Sequence, residues 1–116
     1  MNNLNSNLLE GNLIKDPEKI NGDNKNTCCL LTVATNRYFK KDDKYEHEVS
    51  YLDIKSFGKL ADVCMQYLKK GRGIRVIGRT KQERWKNKEG DNKSKVIIIA
   101  DHIEFKPEYK KGGKEE

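Results

Sequence analysis

Residues 59–70 repeat their apolar side chains at intervals of three and four, with Leu60, Ala61, Val63, Cys64, Tyr67 and Leu68 on one stripe. That spacing belongs to a helix with one buried face. On either side of it the apolar residues alternate at a period of two, which is the spacing of strands. Lys69 and Lys70 suit the negative end of a helix dipole, and Gly71 stands where a C-terminal cap is expected. A chain with one short helix set among strands is an all-β fold with a single helical insertion.

The strands can be placed one by one. Residues 7–13 put Leu9, Gly11 and Leu13 on one face, and Gly11 predicts a sharp bend or a close backbone approach. Asp16-Pro17 and Asn21-Gly22-Asp23 predict turns. Residues 27–35 are rich in strand formers and nearly uncharged, as in a central strand, and residues 37–48 read as a charged loop. Residues 49–57 alternate: Ser50, Leu52, Ile54 and Ser56 lie on one side, with Leu52 and Ile54 facing the core. Val49, Tyr51, Asp53, Lys55 and Phe57 lie on the other side. That mixture of aromatic and charged groups suits neither a dry core nor a purely solvated surface, and it reads as a binding face.

After the helix, residues 73–81 return to strand, with Ile74 and Val76 inward and Arg75, Arg79 and Lys81 outward. Glu89-Gly90-Asp91 predicts a hairpin tip before a last strand at 95–105. Five strands with a helix between the third and fourth is the order of the OB-fold, a five-stranded barrel that binds oligomers on its strand 2–3 face and adjoining loops. The expected organisation is one domain over residues 1–106 and a charged tail over 107–116 with nothing to bury.

Composition narrows the partner. A chain of 116 residues with 36% charged residues and a net charge of +6 favours a polyanion. Three cysteines argue against a disulfide framework. Cys28 and Cys29 are adjacent and point to opposite faces of a strand, while Cys64 falls on the helical stripe as a small buried hydrophobe. With only His47 and His102 besides, no metal-ligand spacing exists, and neither metal nor cofactor is expected. The N-terminus carries no signal-peptide pattern, and the longest aliphatic run, at 96–100, is far too short to span a bilayer. The expected location is the cytoplasm, at the nucleoid, with no membrane partner.

The lone tryptophan carries the functional signal. Trp85 sits in Arg79-Thr80-Lys81-Gln82-Glu83-Arg84-Trp85-Lys86, with Lys88 close behind. A flat side chain among cations suits single-stranded nucleic acid, which offers a base for stacking and a phosphate for pairing at every nucleotide. The bland alternative packs Trp85 under the aliphatic stems of its neighbours. Glu83 shares Trp85's strand face by parity and should weaken phosphate attraction there.

These segments together resemble the bacterial single-stranded DNA-binding protein family. The resemblance rests on Gly11-Asn12-Leu13 with Asp16-Pro17-Glu18, Ala34-Thr35, Phe57-Gly58-Lys59-Leu60-Ala61, Tyr67-Leu68-Lys69-Lys70-Gly71, and the run from Gly78 to Trp85. It implies an OB-fold protein that coats single-stranded DNA without sequence preference during replication, recombination and repair. It also implies a homo-oligomer, a tetramer with a dimer as alternative.

By motif position, the family's base-stacking aromatics fall on Phe39 (Tyr38 if the register slips by one), Tyr51, Phe57 and Trp85. Its phosphate-contacting cations fall on Lys59, Lys70 and Arg84, to which location alone adds Lys86 and the loop residues Arg37, Lys40, Lys41 and Lys88; Lys55 and Lys81 complete the expected nucleic-acid site from their strand positions. Three departures stand out. The family's acidic C-terminal tip is missing from Lys114-Glu115-Glu116, leaving recruitment of replication and repair enzymes open. Leu52 replaces a histidine often found at the dimer contact, and Arg75 and Ile77 occupy the outward face of the fourth strand, where a tetramer contact is usually made.

Competing classes leave weaker traces. An OB-fold nuclease needs acidic residues gathered around a metal. Asp42 and Asp43 share one loop and Asp53 stands alone, so no catalytic residues are assigned and no enzyme is expected. A replication-restart accessory or oligomeric interaction module of the same fold would carry fewer stacking aromatics. RNA binding is a further alternative, since stacking and phosphate contacts do not exclude a 2′-hydroxyl.

Overall fold

The computed structural model describes residues 1–20 and 27–108. Its elements are β1 (Asn7–Leu13), β2 (Glu18–Ile20), β3 (Cys28–Lys41), β4 (Lys44–Phe57), α1 (Gly58–Tyr67), β5 (Gly73–Lys86) and β6 (Asn92–Phe105). The sheet runs β1-β5-β6-β4-β3-β2, and β1 also pairs with β3, which closes β1, β5, β6, β4 and β3 into a five-stranded barrel. β2 adds three residues to the free edge of β3 and is the one strand that the sequence pattern did not indicate. All pairings are antiparallel except β4 with β6, where Ile54 faces Ile98 and Lys55 faces Ile99. Counting barrel strands, the helix lies between the third and fourth, and the architecture is the expected OB-fold.

Alternation builds the interior. Cys29, Leu31 and Val33 of β3, Ile54 of β4, Ile74 and Val76 of β5, and Ile98 and Ile103 of β6 point inward, and the helix contributes Ala61 and Cys64. Burial pushes the Cys29 thiol up to about 12 and raises those of Cys64 and Cys28 as well, so all three stay protonated and unreactive. Gly11 has the predicted close approach: a Cβ there would lie 2.7 Å from the Ala34 carbonyl oxygen, where β1 crosses from β5 to β3.

Several boundaries differ from the sequence reading. Residues 37–48 are not a loop. β3 and β4 stay paired without interruption from Cys28 opposite Phe57 to Lys41 opposite Lys44, forming a long hairpin arm. Its two-residue turn is Asp42-Asp43, both at positive φ (50° and 65°), the geometry that matches strand twist and that aspartate tolerates. The arm lacks apolar alternation because neither of its faces covers the barrel core, so its strands carry no periodic signal. β5 likewise runs on to Lys86 and β6 starts at Asn92, which places Trp85 within a strand.

The helix ends earlier than expected. Its C-cap is Leu68, whose N–H bonds the Cys64 carbonyl, and Gly71 lies beyond it in the turn, donating to the Leu13 carbonyl instead. Lys69 and Lys70 are therefore outside the helix. Ala61, Cys64 and Leu68 form the buried stripe; Tyr67, read as part of it, sits a helical step aside and is 58% exposed. The turn at Asn21-Gly22-Asp23 and the tail from residue 109 onward lie outside the described residues.

Candidate nucleic-acid interface

The outer side of the barrel is defined by the residues that alternate with the core. On β4 these are Tyr51, Asp53, Lys55 and Phe57; β6 contributes Ile97 and Ile99, because Ile99 pairs with both Lys55 and Arg79. β5 contributes Arg79, Lys81, Glu83 and Trp85, paired respectively with Ile99, Ile97, Lys95 and Lys93. β4 and β5, with β6 between them, thus carry Tyr51, Lys55, Phe57, Lys81 and Trp85 on one face. Tyr51 is 65% exposed, Phe57 46% and Trp85 48%, so none of the three rings is sealed in a core. Leaving rings of this size in water forgoes a sizeable burial energy, which another flat, apolar partner would recover.

Phe57 owes its position to the end of β4. The strand passes straight into α1, Gly58 makes the corner at φ +65°, and Phe57 is left as the N-cap residue. Lys59 is exposed in the first turn of that helix. Trp85 owes its position to the β5–β6 hairpin, whose tip is tied by Asn87. Its side-chain oxygen accepts the backbone N–H groups of Glu89 and Asp91, at 3.0 and 2.9 Å. Beside Trp85 an open groove of about 550 Å³ is lined by Gln82, Arg84, Lys86, Asn92, Lys93 and Ser94.

Not every expected residue joins this face. The continuous β3–β4 register puts Phe39 on the side of Leu31 and Val33, opposite to Tyr51, with the Arg37 guanidinium 4.5 Å from its ring centre. Tyr38 is the residue that shares the outer side. It pairs with His47 and stacks on it, and it is 73% exposed. His47 is held by Asn36 Oδ1 at 2.8 Å. Arg84 and Lys86 alternate to the reverse side of the β5–β6 arm from Trp85, where Arg84 donates to Gln82 at 2.8 Å. Lys70 is exposed in the turn after α1, beside a second cavity of about 590 Å³ that Tyr67, Lys69, Arg72 and Lys106 also line.

Ion pairs occupy the middle of the outer face. Lys55 Nζ lies 2.7 Å from Glu83 Oε2, with both side chains largely buried. Lys95 Nζ bonds Asp53, which also accepts the Thr32 hydroxyl at 3.0 Å. Burial would push the Asp53 carboxyl up, but the hydrogen bonds from Lys95 and Thr32 and the charge of Lys95 hold it below its ordinary value. Sequence reading noted Glu83 and Asp53 separately and could not pair them, because the bridging depends on the strand order β5-β6-β4. His47 and Lys95 were missed as well. The odd-numbered alternation through 45–51 would have found His47 had the charged segment been read as strand.

Among the described residues, no three histidine, cysteine or acidic side chains gather in a way that could hold a metal. No helix among them is long and apolar enough to cross a membrane.

A closed five-stranded barrel with one helix between its third and fourth strands defines an OB-fold protein, a class that takes oligomers on the barrel's outer face. Residues 4–106 match the model of the single-strand binding protein family. The chain belongs to that family. It is 36% identical over 99 residues to a single-stranded DNA-binding protein of Wolinella succinogenes, covering 84% of this chain and 61% of that one. It is also 36% identical over 105 residues to one of Treponema pallidum, covering 90% and 59%. The chain therefore spans only part of the length of these relatives. Among solved structures it is similar to a Plasmodium falciparum SSB in complex with ssDNA, with a TM-score of 0.84, 19% identity, and coverage of 92% of this chain and 98% of that one. That likeness establishes the fold. A single-stranded DNA-binding protein from Thermus aquaticus superposes with a TM-score of 0.78 at 26% identity, covering 90% of this chain and 51% of the other.

Proposed function

We propose that this chain binds and coats single-stranded DNA without sequence specificity, protecting it during replication, recombination and repair. The observation that carries this reading is the exposure of Tyr51, Phe57 and Trp85 on one face of the barrel. Stacking on such rings contributes about 1–3 kcal/mol per base and tolerates any sequence, because every base has a face. Lys81, Lys93 and Lys95 lie along the same face, with Lys59 in the helix beyond Phe57. Lys70, Arg84 and Lys86 extend the positive surface to neighbouring sides. Duplex DNA hides its base faces and is too stiff to follow this curvature, so a preference for single strands follows from shape. The rings and ammonium groups hold a strand without making or breaking a bond, and the role is non-enzymatic.

The protein acts as a homo-oligomer in the cytoplasm in this reading, with a tetramer favoured over a dimer. Supporting it, Leu8 of β1 pairs with Ile77 of β5 on the barrel's outer surface, exposed at 70% and 38%. Arg75 beside them is occupied by Glu10 at 2.7 Å and Glu104 at 3.2 Å, which leaves that apolar pair framed by neutralised charges.

The test is a titration with oligo(dT) at several salt concentrations, followed by Trp85 fluorescence. Strong quenching is expected, with affinity falling by about 0.7 log units per phosphate contact for each decade of salt. A signal unchanged by both oligo(dT) and mixed-sequence strands would reject the reading. A replication-restart module that meets DNA only inside an assembly would give that flat result.

A further inference from the structure

A surface built only to attract phosphates would carry no carboxylates between its stacking rings, and this one carries two. By strand alternation Glu83 is the same-face neighbour of Trp85, and Asp53 is that of Tyr51. Each holds a lysine: Glu83 holds Lys55 at 2.7 Å and Asp53 holds Lys95. The first bridge joins β4 to β5 and so crosses over β6, above Ile97 and Ile99. Those isoleucines are only 1% and 5% exposed, yet they stand outside the cluster that fills the barrel. The ion pairs therefore lie across the outer face between Tyr51 and Phe57 on β4 and Trp85 on β5, on the way of a strand that runs from one to the other.

We propose that Asp53 and Glu83 are built-in counterions, which hold Lys95 and Lys55 on the DNA path until a phosphate displaces them and thereby set the strength and salt dependence of binding. This rests on the single-stranded DNA reading above. A phosphate and a carboxylate compete for the same ammonium group. When the phosphate wins, the carboxylate is left beside a polyanion and recruits a cation from solution. That uptake offsets the cation released from the DNA, so a lysine with an acidic partner adds less affinity and less salt dependence than one without.

The test compares wild type with Glu83→Gln, which keeps the side chain's shape and its hydrogen bond to Lys55 but removes the charge. Binding of dye-labelled oligo(dT) is followed by anisotropy across a range of NaCl concentrations, since Glu83 is too near Trp85 for its fluorescence to be an independent probe. The log–log salt slope should steepen by about 0.7, which corresponds to roughly 5-fold tighter binding at ~0.1 M relative to 1 M salt. Asp53→Asn, which frees a different lysine, should do the same, and the double variant should add the two effects. Asp53→Asn carries the test alone if thermal unfolding finds Glu83→Gln misfolded. Folded variants with unchanged slope and affinity would overturn the proposal. Weaker binding would overturn it too, assigning the acids to lysine positioning instead. Failure of wild type itself to bind would instead reject the functional reading on which the proposal stands.

Discussion

The rings of Tyr38 and His47 lie face to face across the β3–β4 arm, with centroids 4.4 Å apart and planes 7° from parallel. The pair continues the outer face of β4 beyond Tyr51, because the β3–β4 register is unbroken from the barrel to the arm. Phe39, one residue further along, points the other way and is occupied by Arg37.

Tyr38→Ala should therefore weaken oligo(dT) binding by about 1–3 kcal/mol, the value of one stacked base. Phe39→Ala should leave affinity near that of wild type. Anisotropy titrations of both variants measure the contrast, and equal losses would mean that the arm engages DNA with both faces.

Closure of the barrel depends on the approach of β1 to β3. Gly11→Ala would bring a methyl group to 2.7 Å from the Ala34 carbonyl oxygen, which is backbone and cannot rotate away. Stability should fall by about 1–3 kcal/mol, the usual cost of overpacking. Urea unfolding should report it as a lower midpoint with an unchanged slope.

Asp53 gives the fold an acid-sensitive component. Its carboxyl titrates below its ordinary 3.8 in the folded chain, because the hydrogen bonds from Lys95 and Thr32 overcome the upward push of burial. The unfolded chain thus binds this proton more tightly. The stabilisation is complete above the unfolded value and is lost as pH falls through the folded one. Thermal melting should show a difference between wild type and Asp53→Asn that is constant near neutrality and shrinks below about pH 4.

How much of this was legible in the sequence depended on whether a residue faces the core. Ile54, Ile74 and Val76 face it, and their alternation announced β4 and β5. The period of three and four announced α1, although Tyr67 followed the pattern while staying exposed. The arm between Arg37 and Glu48 buries little, so its charges read as a loop, and with it went the means of choosing Tyr38 over Phe39. Tyr51, Phe57 and Trp85 were legible as large rings in polar company. The bridges from Lys55 to Glu83 and from Lys95 to Asp53 were not, because residues far apart in sequence meet only when β6 inserts between β4 and β5.

The central claim is that unpaired bases stack on the outer face of the barrel, and ultraviolet cross-linking of the wild-type protein to oligo(dT), mapped by mass spectrometry, tests it most directly. Covalent adducts should fall on Tyr51, Phe57 and Trp85, and competitor single strands should abolish them while duplex DNA does not. Adducts confined to the surface around Leu8 and Ile77, with those three rings unmodified, would contradict it.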